Sequence, residues 1–168
     1  ATPIPRTLAL VLYGNLNVSV IDELPPGRQA VKPKFLPPDL RYEAYRFIEQ
    51  RVAKGDQGYF VCPVIEESEK QDLQAAQSLY EELTLKEIPQ LRIGLLHGKM
   101  KSAAKEQVMQ RFKAGDIDLL VTTTVVEVGV DVGNANIMVI EQAERFGLSQ
   151  LHQLRGRVGR GSKQAYCF

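Results

Sequence analysis

Two hydrophobic rhythms alternate along the chain from about Pro38 to its end. Over residues 40–54, Tyr42, Tyr45, Phe47, Ile48 and Val52 are interleaved with charges, a spacing that predicts a helix. Gly58 ends that region. The run Tyr59-Phe60-Val61-Cys62-Pro63-Val64-Ile65 is then continuously apolar, as a short buried strand would be. Helical spacing returns with Leu73, Ala76, Leu79, Tyr80 and Leu83, and Asp72 is placed to cap that helix. Residues 91–96 read as the next strand. Ser102 then caps a helix with Ala104, Val108, Met109 and Phe112 on its inner face, closed by Gly115. Residues 117–121 and 137–140 predict two more buried strands. A helix over about 149–158 and a last strand over 165–168 come after them. Strands alternating with helices of this length predict βαβ units, an α/β fold and a parallel, doubly wound sheet. Such sheets place working residues on loops at the carboxyl ends of their strands.

The first 37 residues keep neither rhythm. Pro3, Pro5, Pro25, Pro26 and Pro33, with Pro37 and Pro38 at the boundary, limit them to short elements. A helix near residues 7–12 and strands at 18–21 and 30–32 are predicted. The stretch reads as a connector leading into one domain over 38–168, with no internal repeat. Both ends of the chain are abrupt, as in a domain excised from something longer.

Composition narrows the classes. A chain of 168 residues with 44% hydrophobic and 24% charged positions is a globular domain with a real core. No apolar run approaches the roughly 20 residues that span a bilayer, so no membrane partner is expected. A net charge of +1 excludes a strongly basic nucleic-acid coat protein, though not a local basic face. Cys62 and Cys167 lie far apart in apolar runs without a C-x-x-C partner, which fits reduced core thiols in a cytoplasmic protein better than a metal site.

Three segments carry candidate chemistry. In Gln153-Leu154-Arg155-Gly156-Arg157-Val158-Gly159-Arg160-Gly161, Arg157 and Arg160 are three apart, which on one helical turn puts both guanidiniums on one face. Guanidinium is a permanent planar cation suited to charge on a transferring phosphoryl group, and equally to a non-specific phosphate patch. His97-Gly98-Lys99-Met100 comes directly after a predicted strand. His97 has no nearby nucleophile to activate, so a phosphate-touching loop or a helix cap fits it better, with Lys99 and Lys101 adding charge. Thr122, Thr123 and Thr124 end another strand and lead to Gly129 and Asp131. Strand-end hydroxyls and amides suit a phosphate, although threonine is also ordinary sheet chemistry. Asp131 can accept a ribose hydroxyl or cap a turn. No G-x-x-x-x-G-K-[ST] loop is present, and the nearest acidic pair is Asp22-Glu23 in the connector. Acting on a triphosphate, this chain would supply only part of the site.

These segments resemble those of a known family. T-T-x-x-x-E-x-G-x-D from Thr122 to Asp131, with Q-x-x-G-R-x-G-R from Gln153 to Arg160 about twenty residues on, resembles motifs V and VI of superfamily 2 helicases. Ala1-Thr2-Pro3-Ile4-Pro5-Arg6-Thr7 is similar to the family's motif III, and the His97-Gly98 loop to its conserved loop between motifs IV and V. Tyr13-Gly14-Asn15-Leu16, Val20-Ile21-Asp22-Glu23-Leu24-Pro25-Pro26-Gly27-Arg28, Cys62-Pro63-Val64-Ile65-Glu66-Glu67-Ser68 and Arg145-Phe146-Gly147-Leu148 narrow the likeness to bacterial branch-migration helicases. A transcription-repair coupling translocase shares the arginine motif but not Asp22-Glu23-Leu24-Pro25-Pro26. A non-catalytic domain that binds nucleic acid through the basic face is the alternative of another class.

The resemblance implies a motor of two RecA-like domains, each a three-layer α/β/α sandwich on a mostly parallel sheet. ATP lies in the cleft between them, with the phosphate loop and Mg2+ ligands on the upstream domain. This chain would be the second domain, with forked or branched DNA and the upstream motor and wedge domains as partners. Arg160 would then be the arginine finger and Arg157 its γ-phosphate partner. Gly129 and Asp131 would face the nucleotide, and Gln153 would couple it to DNA. His97, Gly98, Lys99 and Thr122 to Thr124 would grip the DNA backbone. The fragment alone is expected not to hydrolyse ATP.

Overall fold

A computed structural model describes residues 29–63, 69–123 and 132–168. The predicted helix at 7–12, the strand at 18–21, Thr124, Gly129 and Asp131 all lie outside the described residues. Strand β1 is Lys32–Pro33. A 3-10 turn at Pro38–Leu40 leads into α1, Arg41–Val52. Strand β2, Gln57–Val61, comes next, then α2, Glu69–Glu82, which runs on into a π-helical turn at Leu83–Glu87. Strand β3, Ile93–Leu96, precedes α3, Ser102–Ala114, and then come β4, Leu119–Thr122, and β5, Ala135–Ile140. A 3-10 turn at Ala143–Arg145, α4 at Leu148–Arg155 and β6 at Tyr166–Cys167 complete the chain. Among the described residues, six strands form one sheet in the order β1-β6-β5-β2-β4-β3, every pair parallel.

Alternation along the strands divides the core in two. Tyr59, Val61, Leu120, Met138 and Ile140 point to one face, where Met109 and Phe112 of α3 and Leu154 of α4 cover them. Phe60, Leu119, Val121 and Ile137 point to the other, against Tyr45 and Ile48 of α1 and Ala76 and Leu79 of α2. A parallel sheet buried on both faces needs near-continuous apolar strands, and these have them. The layers are helix, sheet, helix, as expected of an α/β sandwich.

Several boundaries differ from the sequence expectation for physical reasons. Strand β2 starts at Gln57, so Gly58 is inside the strand rather than ending the helical region before it. A Cβ at Gly58 would stand 2.8 Å from that of Ile137, so the sheet needs glycine here for close approach. Gln57 is buried yet satisfied, its amide donating to the carbonyls of Phe112 at 2.6 Å and Ile117 at 2.7 Å. Asp72 does not cap α2, which begins at Glu69; it lies within the helix and is buried. Ser102 is the first helical residue of α3, and Lys101 holds the cap position without a side-chain bond. Gly115 closes α3 as expected, with φ of 84° and its N–H directed at the carbonyls of Arg111 and Phe112.

Both cysteines are buried, and burial pushes the Cys62 thiol up to about 12 and the Cys167 thiol up to about 11. At the amino ends of β3 and β4, Arg92 grips Asp118 with two nitrogens, at 3.0 Å and 2.6 Å. Because the Arg92 side chain is 60% exposed, Arg92→Ala should cost no more than about 1 kcal/mol in a denaturant titration.

Candidate functional site

One group of candidate residues occupies the carboxyl ends of β3 and β4. His97 succeeds β3 directly, and the N–H of Met100 donates to its carbonyl at 3.2 Å, closing a tight turn. The imidazole is partly buried, and its Nδ1 is shielded without a hydrogen-bond partner. Its pKa is lowered, by burial first and then by the ammonium groups of Lys105 and Lys99. Lys105 carries no local signal in the sequence; it enters through the fold, on the first turn of α3 beside the loop. That first turn also carries no acidic residue. The outcome is a cationic corner with open helical N–H groups, an arrangement that attracts a phosphate.

The threonines are placed differently from the lysine corner. Thr122 ends β4 between Val61 and Leu96, and its carbonyl accepts the Cys62 N–H at 2.8 Å. Thr122 and Thr123 are both buried, within the fold rather than on its surface. Gly98 is exposed, and a Cβ there would meet nothing within 4 Å, so sterics alone do not require glycine. Beyond β5, Glu141 pairs with Arg41 at 2.7 Å, a contact between distant segments that no local pattern announces.

His97 has a pH consequence. Because its folded pKa lies below the ordinary value of about 6.5, the unfolded chain takes up the proton first as pH falls. Its contribution to stability is therefore present above about pH 6.5 and is lost on acidification. Between pH 8 and pH 5.5, wild type should lose more of its denaturant midpoint than His97→Gln does. Equal losses in the two proteins would show the site to be electrostatically inert.

The arginine pair departs from the sequence expectation twice. Helix α4 ends at Arg155, so Arg157 and Arg160 do not share a helical turn; they lie on the loop 156–165 that leads to β6. Nor is this loop at the carboxyl ends of the strands with His97. Helix α4 returns the chain to the opposite side, where the Gly159 N–H donates to the carbonyl of Ala135, the first residue of β5, at 3.1 Å. Gly159 has φ of 68°, and a Cβ there would sit 2.8 Å from that of Ala165. Gly161 packs so closely that a Cβ would meet the Gly133 carbonyl at 2.8 Å. Two glycines thus fix the loop, Val158 anchors it in the core, and Arg160 is exposed at its crest while Arg157 is half-buried. Gln153 is half-buried on α4. Val132, the residue after Asp131, shares the apolar cluster of Val158 and Ala135.

The molecule therefore presents a cationic corner at one end of its sheet and a guanidinium on a closely packed loop at the other. Among the described residues, no three His, Cys, Asp or Glu side chains gather as a metal site, and no helix is long and apolar enough to cross a membrane.

The pattern of the helicase conserved C-terminal domain matches residues 43–162. The chain is 53% identical over 168 residues to the ATP-dependent DNA helicase RecG of Thermotoga maritima, covering 100% of this chain and 22% of that protein. It is 58% identical over 167 residues to the RecG helicase of Synechocystis, covering 99% of this chain and 20% of the relative. For the RecG helicase of Escherichia coli the identity is 54% over 168 residues, with 99% of this chain and 24% of the relative covered. A solved structure of RecG bound to a three-way DNA junction superposes with a TM-score of 0.79 at 51% identity, over 99% of this chain and 21% of that one. The chain thus spans between a fifth and a quarter of the length of these relatives.

Proposed function

The chain belongs to the helicase conserved C-terminal domain family, and from that footing we propose that it is the second RecA-like motor domain, residues 38–168, of a bacterial, cytoplasmic ATP-dependent DNA translocase of the RecG kind. Its parent protein remodels stalled forks and other branched DNA. Residues 1–37 connect it to an upstream motor domain that carries the phosphate loop and the Mg2+ ligands. ATP supplies the phosphoryl bond whose hydrolysis drives movement, and this chain supplies cationic stabilisation and a grip.

The observation that carries the reading is Arg160, exposed on a loop that two glycines pack closely onto the domain. Charge developing on a transferring phosphoryl group is stabilised best by a donor that needs no reorganisation when the reaction occurs. Arg160 stabilises the γ-phosphoryl oxygens, and Arg157, nearer the body of the domain, supports the same charge. Gly129 and Asp131 take part in nucleotide binding, and Gln153 on α4 couples it to DNA.

The cationic corner takes the second role. Lys99 and the imidazole of His97 contact phosphates, Gly98 lets the backbone of the loop come near, and Thr122, Thr123 and Thr124 belong to the same DNA grip. Contacts of this kind position the duplex without reading its sequence, as a motor that works on any DNA requires. Nucleotide and DNA then sit at opposite ends of one rigid sheet, so closure of the inter-domain cleft is felt at the DNA grip.

With the phosphate loop elsewhere, purified 1–168 should show no ATP turnover above background. The full-length protein should hydrolyse ATP on forked DNA. Turnover by the fragment that survives Arg160→Ala would overturn the proposal.

A further inference from the structure

The loop that carries Arg160 is fastened by side chains that the functional reading leaves unused. Lys163 Nζ lies 3.4 Å from Asp56 Oδ1 and 3.3 Å from the Lys54 carbonyl. Asp56 is a fixed post. It is buried, with an Arg51 nitrogen 2.6 Å from Oδ2 and Asn136 Nδ2 donating to Oδ1 at 2.9 Å. One residue on, Gln164 Nε2 donates to the Ala30 carbonyl at 2.7 Å. Gln29 Nε2 reaches back to the Ser162 carbonyl at 3.3 Å, and the Lys32 N–H donates to the Ala165 carbonyl at 2.9 Å.

These contacts run to two places only. One is the turn between α1 and β2, which belongs to the body of the domain. The other is residues 29–32, the stretch of chain that enters the domain. Val158 and Gly159 hold the near end of the loop to the core and to β5, and the contacts of Lys163 and Gln164 hold its far end.

We propose that Lys163 and Gln164 are positioning residues for Arg160. Lys163 moors the arginine loop to the buried Asp56, and Gln164 ties it to the entering chain at Ala30, so the reach of Arg160 depends on how that chain is seated. The inference rests on the reading of Arg160 as the residue that stabilises phosphoryl transfer. Neither side chain touches nucleotide; both act through the loop. The entering segment is the covalent route from the upstream motor domain, so a shift of that domain is transmitted to Arg160 through Gln164 and the β1–β6 pairing.

The magnitudes separate positioning from folding. The Lys163 side chain is 47% exposed, and without it the buried Asp56 keeps Arg51 and Asn136 as partners, so the loss of this pair should cost little global stability. A displacement of about 1 Å at a catalytic group, by contrast, can cost roughly a hundredfold in rate. Loss of the moorings should therefore appear in turnover and hardly in melting.

The test is DNA-stimulated ATP hydrolysis by the full-length protein carrying Lys163→Met, Gln164→Leu, both together, Lys163→Arg, or Arg160→Ala. The double variant should lose roughly 10- to 100-fold in kcat, while KM for ATP and affinity for forked DNA stay within about twofold of native. Lys163→Arg should keep most of the native kcat. Native turnover by the double variant beside an inactive Arg160→Ala overturns the positioning role and leaves the role of Arg160 standing. A loss that falls on KM or DNA affinity overturns it too. Native turnover by Arg160→Ala removes the reading on which the inference rests. Should the double variant melt early, the Lys163 pair decides: a slow Met with a near-native Arg supports the proposal, and equal rates refute it.

Discussion

Arg160→Ala in the full-length protein is expected to slow DNA-stimulated ATP hydrolysis by roughly 10³- to 10⁵-fold, with ATP and forked DNA still bound. The size of the effect comes from where the group acts. A guanidinium that meets charge only as the phosphoryl group transfers lowers the barrier without tightening the ground state. The loss should therefore appear in kcat and scarcely in KM. Arg160→Lys should restore little, since an ammonium lacks the planar five-donor fork that spans two oxygens. Arg157→Ala should give a smaller loss, because that side chain is half-buried against the domain. If Arg160→Ala hydrolyses ATP within a few-fold of native, the loop is merely a phosphate-binding surface.

Phe112→Ala should destabilise the domain by about 3–5 kcal/mol, read from the midpoint of a denaturant titration at unchanged slope. Phe112 is fully buried on α3, with its ring centroid 5.1 Å from that of Tyr59 on β2. Truncation removes the ring's burial and the aromatic pair, and it leaves a cavity between helix and sheet. The backbone at this position compounds the cost, since the Phe112 carbonyl accepts the buried Gln57 amide at 2.6 Å. Phe112→Leu, which keeps most of the volume, should recover the greater part of the loss. A cost under about 1 kcal/mol for the alanine variant would mean that α3 packs more loosely than the structure has it.

Residues whose role is set by burial were legible in the sequence. Phe60, Val61, Leu119 to Val121 and Ile137 to Ile140 stand in apolar runs that a two-sided parallel sheet demands, and they are its strands. Met109 and Phe112 were legible from helical spacing, and Gly115 from its place after the last helical turn. Residues whose role depends on a distant partner were not. Gln57 looks like a poor strand residue until the carbonyls of Phe112 and Ile117 are beside it. Asp72 has the chemistry of a cap and is instead buried inside α2.

The site divides along the same line. The residue types of the arginine motif were readable, but its placement was not, because spacing alone does not say where a helix stops. Arg155 ends α4, and Gly159 with its positive φ turns the chain beyond the helix into a loop. The Lys163–Asp56 mooring left no trace in the local pattern, as the two residues meet only after the sheet is assembled.

The pairing of β1 with β6 also bears on how the domain is made. Gln164 and Ala30, bonded across that edge, are 134 residues apart in the chain, and among the described residues β1 has no other strand beside it. A contact of such long range must wait for the chain between its ends to condense, since closing the largest loop first would cost the most entropy. On the ribosome the order is enforced absolutely. The entering strand emerges early, and its partner at residues 166 and 167 leaves the exit tunnel only after the whole of the chain between them. The arginine loop, which leads into β6 and is tied to the entering chain at Ala30, is therefore among the last parts of the domain to take its shape during synthesis.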